Sequence, residues 1–248
     1  MPTKTRFTAA RLGGLVVLTL FLSIVGIARA ESEPKLILLI TVDQLRGDMP
    51  ARFHDRFPEG GFRYLADNGV NYLAANFRHA TTVTGAGHAT IATGGNGSAH
   101  GIVANDWWEN GAPMYCVGDA RQTVLGSPAS GISPRNLRST TFGDELVAAN
   151  GGRSRVFSVS LKDRGAVLPG GHLGKAFWYD KGNGRFVTST YYYDELPVWI
   201  ERWNKAALVD ELVAQPWTLL QDRKAYVARD IDDRDIEKSR GSLGRTFP

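Results

Sequence analysis

The 248-residue chain predicts an α/β fold. Three observations carry that reading. Lys35-Leu-Ile-Leu-Leu-Ile-Thr-Val-Asp43 is a nearly continuous apolar run of strand length, the pattern of a strand buried on both faces of a sheet. His79-Ala-Thr-Thr-Val-Thr-Gly-Ala-Gly-His-Ala-Thr-Ile-Ala-Thr-Gly94 reads as a loop rich in Thr and Gly that leads into a helix. Beyond it, strand-like and helix-like segments alternate without internal repeats and without a linker separating two domains. Apolar residues make up 43% of the chain and charged residues 22%, which suits a globular protein with a substantial core.

The elements follow in order. Residues 1–30 carry Lys4, Arg6 and Arg11, an apolar stretch from Leu15 to Ile27, and then Ala28-Arg29-Ala30. That is a secretory signal peptide with cleavage after Ala30, too short in its apolar run for a membrane span. Its four basic residues account for the whole formal charge of +4, and residues 31–248 balance at 25 basic and 25 acidic side chains. The mature chain therefore lacks the basic excess of a nucleic-acid-binding surface. A periplasmic or secreted protein without stable membrane insertion is expected. Its single cysteine, Cys116, permits no internal disulfide and reads as a small, half-buried apolar residue.

Leu36–Val42 is the first predicted strand. Gly61–Asn68 reads as a short helix stopped by Gly69, and Gly85–Thr93 as a helix stopped by Gly94-Gly95. Asn96–Trp108 reads as a loop rich in Gly and Asn. Thr141 caps a helix over Phe142–Ala149. Arg155–Leu161 is a strand, and Ala176–Tyr179 with Phe186–Tyr192 form a hairpin around Asp180-Lys-Gly-Asn-Gly184. Pro197 opens a helix that runs to about Val213, and a charge-dense tail starts at Asp230.

Five residues stand out chemically. Asp43 ends the first strand, where ligands of open α/β sheets bind, and its carboxylate suits a divalent cation or, more plainly, a turn. Thr84 starts a Gly-rich helix, whose positive end favours an alkoxide and a bound phosphate; Thr81 and Thr82 compete for that role on residue type alone. The Asn105 amide suits a phosphate oxygen or a turn. Lys162 and Arg164, at i and i+2 after a strand, face one side if extended and suit a phosphoryl group. His88, one helical turn from Thr84, reads as structural, while His172 and Asp163 stay open.

In order, Val42-Asp-Gln-Leu-Arg-Gly-Asp48, Thr82-Val-Thr-Gly-Ala-Gly-His88, Gly101-Ile-Val-Ala-Asn-Asp-Trp-Trp108 and Ser160-Leu-Lys-Asp-Arg-Gly-Ala-Val-Leu-Pro169 resemble the bacterial periplasmic alkaline phosphatases with a threonine nucleophile. These are the phosphate-irrepressible type, related to type I phosphodiesterases and nucleotide pyrophosphatases. The resemblance runs from about Lys35 to the end of the chain. It implies a mixed sheet flanked by helices, with residues 31–248 forming the N-terminal part of the catalytic domain, incomplete at its C-terminus. It also implies zinc-dependent hydrolysis of small phosphomonoesters through a phosphothreonine. Asp43 and Thr84 then contact zinc, Thr84 is the nucleophile, and Asn105, Lys162 and Arg164 bind the phosphoryl oxygens. Diesterase-dominated relatives generally lack the cationic pair, so its presence favours monoesters.

Such a site holds two zinc ions, and its remaining ligands come as Asp-x-x-x-His, Asp-His and a late His. No Asp-x-x-x-His and no Asp-His occurs in this sequence. The expectation is therefore a fragment or truncated product, inactive by itself and exposing apolar sheet edges. A phosphodiesterase or nucleotide pyrophosphatase, and a non-catalytic remnant, are the alternatives. The oligomeric state and physiological substrate are not legible.

Overall fold

A computed structural model of the chain describes residues 34–213, 218–220, 222, 224 and 226. The expected signal peptide and the tail from Asp230 lie outside these residues. The chain divides after Asp67 into two compact units.

In the first unit Pro50 sits in the opening turn of α1 (Met49–Arg52), where a missing N–H is harmless. A 3₁₀ turn follows over His54–Arg56, and then α2 (Phe62–Asn68), within a residue of its expected span. The His54 ring lies between the carboxylates of Asp67 (2.8 Å) and Asp55 (3.2 Å), which raise its pKa. The buried strand expected over residues 36–42 is not formed. Those residues have no regular secondary structure, and Leu36 and Leu38 are 81% and 73% exposed. A strand exists through its ladder partners, and neither sheet of the described residues includes this run.

The second unit holds a four-stranded mixed sheet in the order β3 (Val124–Leu125), β6 (Arg185–Ser189), β5 (Lys175–Asp180), β4 (Phe157–Ser160). β4 and β5 run parallel, and the other pairs are antiparallel. Helix α6 (Asp163–Gly170) connects the parallel pair and packs on both strands and on α3 (Thr84–Thr93). The core forms where these elements meet: Ala89 of α3, Ala166, Val167 and Leu168 of α6, Ala176 and Trp178 of β5, and Val187 of β6. Gly165 on α6 lets that helix lie close against the end of β4. A methyl added at Gly165 would lie 2.5 Å from the Ser160 hydroxyl.

The Asn96–Trp108 loop proves more ordered than expected. Asn96 caps the short helix α4 (Gly97–His100) by accepting from the Ser98 amide. Trp107 and Trp108 belong to β1 (Asp106–Glu109), which pairs with β2 (Ala112–Tyr115). The connecting Asn110-Gly111 has φ of 52° and 78°. That is the two-residue turn favoured by Asn-Gly hairpins.

Thr141 caps α5 (Phe142–Ala149) with a reciprocal box to Asp144, as expected. The helix expected from Pro197 to Val213 is two helices, α7 (Val198–Lys205) and α8 (Leu208–Val213), interrupted at Ala207 with φ 53°. Asn204 of α7 bonds both backbone groups of Phe186 and so ties α7 to β6.

Asp144 anchors the join between α5 and the turn after α6. Its carboxylate accepts from the amides of Thr141 (2.9 Å), His172 (2.8 Å) and Leu173 (2.7 Å) and from the His172 ring (3.3 Å). A side chain at Gly171, whose φ is +66°, would collide with that carboxylate. Burial opposes the charge of Asp144, yet these donors hold its pKa at about 2. The Asp144 bond raises the His172 pKa against desolvation. Replacing Asp144 by Ala strands several buried donors, and we expect a loss of about 3–5 kcal/mol in urea unfolding. In the wild type the Asp144 contribution is present above about pH 4 and lost as pH falls toward about 2. The His172 contribution runs oppositely: full below about pH 6.5 and lost as pH rises through its raised pKa. A wild-type stability profile no steeper in acid than that of Asp144→Ala would refute the assignment.

Candidate active site

The site is built around the first turn of α3. Val83 occupies the N-cap position and supplies no capping side chain, so the early helix amides need another acceptor. Asn105 provides one from twenty residues away: its Oδ1 accepts from the Gly85 amide at 2.8 Å. This fixes the amide orientation, since an NH₂ cannot accept from an N–H, and leaves the Asn105 NH₂ as a donor. Gly85 is required for the contact. A methyl there would lie 2.9 Å from the Ala104 carbonyl and 3.2 Å from both Asn105 Oδ1 and Cys116 Sγ.

Thr84 is thereby the first residue of α3, not its cap. Its hydroxyl lies 3.5 Å from the Lys162 ammonium. Lys162 is the N-cap of α6, its own amide donating to Ser160 Oγ, and Arg164 lies in that helix's first turn. The extended i, i+2 arrangement expected for these two cations is not formed. Lys162 stays extended as the N-cap while the helix begins at Asp163, so the two cations take different surroundings: Lys162 reaches Thr84, whereas Arg164 Nη1 donates to the Tyr115 hydroxyl at 3.0 Å. Burial works against the Arg164 charge, but the bond to Tyr115 and the nearby Asp163 raise its pKa overall.

The sequence does not point to Tyr115, and it leaves the role of Asp163 open. The Tyr115 hydroxyl donates to Asp163 Oδ1 at 2.6 Å, and the same oxygen accepts from the Arg164 amide at 2.7 Å. Burial, then the Asp163 contact, push the phenol pKa well above its ordinary value, so it stays a donor. No local pattern announces a pair 48 residues apart.

His88 takes the structural role expected of it. It is buried, and its Nδ1 bonds the Thr84 carbonyl at 2.9 Å. His172 is equally structural, held by Asp144 and the Leu137 carbonyl. Cys116 is fully buried, more so than expected, and burial pushes its thiol up to about 12. It is an inert packing group.

Asp43 belongs to the first unit. It sits exposed in a turn in which Gln44 has φ 64° and the Leu45 amide donates to the Val42 carbonyl. A catalytic zinc normally has about three protein ligands. Among the described residues no group of three His, Cys, Asp or Glu side chains converges to hold a metal. The carboxylate of Asp43 and the hydroxyl of Thr84 do not by themselves make a zinc site. A hydroxyl at a helix start, an oriented amide and a lysine ammonium do come together, with a second cation, Arg164, in the first turn of the same helix α6.

The chain matches the type I phosphodiesterase / nucleotide pyrophosphatase family over residues 37–237. It is 38% identical over 226 residues to alkaline phosphatase PafA of Elizabethkingia meningoseptica, covering 88% of this chain and 41% of that protein. It is 37% identical over 223 residues to alkaline phosphatase PhoV of Synechococcus elongatus, covering 88% and 40%. The fold superposes on the crystal structure of wild-type PafA with a TM-score of 0.77 at 37% identity, over 83% of this chain and 41% of that one. It also superposes, with a TM-score of 0.79, on a PafA variant in which a threonine is replaced by serine and an asparagine, a lysine and an arginine by alanine. The chain spans about two fifths of the length of these relatives. With most of its length matched and its mixed sheet reproduced, the chain belongs to the type I phosphodiesterase / nucleotide pyrophosphatase family, within the alkaline phosphatase superfamily.

Proposed function

We propose that this chain carries the nucleophile and phosphoryl-binding residues of a phosphomonoesterase that acts through a phosphothreonine. The observation that carries the reading is the Lys162 ammonium 3.5 Å from the Thr84 hydroxyl, beside an Asn105 whose NH₂ is left as a donor. In this reading the Thr84 oxygen attacks phosphorus and the ester oxygen leaves opposite it. Asn105, Lys162 and Arg164 meet the equatorial oxygens, over which charge spreads in the transition state. The covalent intermediate splits one difficult displacement into two easier ones. Support also comes from PafA, where the residue types replaced in the solved variant are Thr, Asn, Lys and Arg.

Zinc belongs to the proposal for the complete protein: two ions, with ligands additional to Asp43 and Thr84. A periplasmic or secreted location, with cleavage after Ala30, is likewise part of it; among the described residues no helix is long and apolar enough to cross a membrane.

The cationic pair decides between ester classes. A monoester presents one more ionised oxygen than a diester, so it gains more from two cations. Converting Lys162 and Arg164 to Ala in the zinc-loaded protein is expected to lower kcat/KM for an aryl phosphate monoester by about 10²–10³-fold or more. An aryl phosphodiester should lose far less. Equal losses would favour a phosphodiesterase. Acid quenching during turnover should trap phosphate on Thr84, and Thr84→Ala should abolish both label and turnover. Label on Thr81 or Thr82 would sink the assignment. Chelation should remove activity and added zinc restore it; activity unchanged after exhaustive chelation would remove zinc from the proposal.

A further inference from the structure

Asp163 lies between the two cations of the site, and an arginine beside a carboxylate normally closes on it with both prongs of its fork. Arg164 does not. Its Nη1 stands 3.8 Å from Asp163 Oδ1, and the Tyr115 hydroxyl sits between them, accepting from Nη1 at 3.0 Å and donating to Oδ1 at 2.6 Å. The same carboxylate oxygen accepts the Arg164 backbone amide at the start of α6, where the helix dipole favours an anion. Asp163 is thus supplied with two donors and has little need of the guanidinium. The guanidinium in turn uses one N–H on the phenol, while its buried Nε has no hydrogen-bond partner among the described residues. A planar cation anchored by one prong, with an orphan donor on another edge, is primed for an oxygen-rich anion.

The phenol is itself rigidly placed. Tyr115 ends β2 opposite Asp106 of β1, its carbonyl accepts from Asn136 Nδ2 (3.1 Å) and the Gly118 amide (2.9 Å), and the next residue's amide donates to the Asn105 carbonyl (2.8 Å). One hairpin therefore begins just after Asn105 and ends on Tyr115, and both of its ends meet the proposed phosphoryl-binding groups.

We infer that Tyr115 is a positioning residue: its hydroxyl keeps Arg164 off Asp163 and presents the free edge of the guanidinium to a phosphoryl oxygen. The inference rests on the phosphomonoesterase reading above. Removing the hydroxyl lets Arg164 fold onto Asp163, which satisfies the carboxylate and withdraws donors from the substrate.

Tyr115→Phe in the full protein, zinc-loaded for kinetics, tests this with two readouts. Side-chain ¹⁵Nε NMR of Arg164 is expected to show an altered resonance and altered mobility in the variant. Aryl phosphate monoester kcat/KM is expected to fall about tenfold. Because Tyr115 acts through Arg164, the same substitution should have no further effect in an Arg164→Ala background, which a general packing defect would not reproduce. Asp163→Asn, which weakens the competing carboxylate, should restore part of the activity lost in Tyr115→Phe. An Arg164 resonance indifferent to Tyr115→Phe, or an equal loss in both backgrounds, overturns the positioning role and leaves the phosphatase reading intact. Monoester hydrolysis indifferent to Arg164→Ala overturns the reading on which both rest.

Discussion

The hydrogen bond from the Gly85 amide to the Asn105 side chain joins two stretches of chain, and the geometry of the site depends on it. It satisfies a helix amide that Val83 cannot cap, so it stabilises α3. It also sets which end of the Asn105 amide faces outward. The bond is possible because residue 85 has no side chain; the Ala104 carbonyl, Asn105 and Cys116 occupy that space. A single contact thus serves helix stability and ligand chemistry together. The buried, inert Cys116 is part of the wall that enforces it.

A second constraint fixes the other helix of the site. α6 must start just after Lys162 and stop at Gly170 for Lys162 to reach α3 and Arg164 to reach Tyr115, and the packing on each side enforces this. At its start, Gly165 presses on Ser160, whose hydroxyl takes the Lys162 amide. After its end, Gly171 turns in the left-handed region so that the next two amides reach the buried Asp144 carboxylate. Asp144 is simultaneously the third residue of α5 and half of its capping box. The start of one helix and the end of another therefore share one carboxylate, a long way from the chemistry but coupled to where Lys162 can stand.

Much of this was legible, for identifiable reasons. The α3 helix, the capped α5 and the β5–β6 hairpin announced themselves through local signals: Gly94 as a left-handed stop, Thr141 as a cap, and a turn rich in Gly and Asn. The cluster of Thr84, Asn105 and Lys162 followed from the ordered motifs. The β1–β2 hairpin is equally local, since Asn110-Gly111 is a strong turn signal, but the Gly and Asn before the two tryptophans make that stretch read as loop. The run over residues 36–42 failed because apolar composition reports a strand's surroundings rather than its pairing, and no described strand pairs with it. The i, i+2 geometry of Lys162 and Arg164 failed because the strand ends at Ser160 and the helix begins at Asp163, between the two cations. Tyr115 was unreadable, since its partner lies 48 residues on in a different element.

The placement of an acid among the cations has a physical logic. Two bare cations held together near a hydroxyl repel each other and favour the unfolded chain, in which they separate. One carboxylate between them relieves that repulsion, but at close range it would also compete with the substrate for the guanidinium. Interposing a neutral phenol separates these effects. The carboxylate still stabilises the Arg164 cation through space, while its Oδ1 accepts an O–H and a backbone N–H. Burial keeps that phenol protonated, so it does not become a second anion. In the proposed function, a phosphoryl group arriving at Arg164 then meets a cation whose charge is balanced at a distance and whose donors are not already spent. An aspartate between two cations is in this way compatible with anion binding.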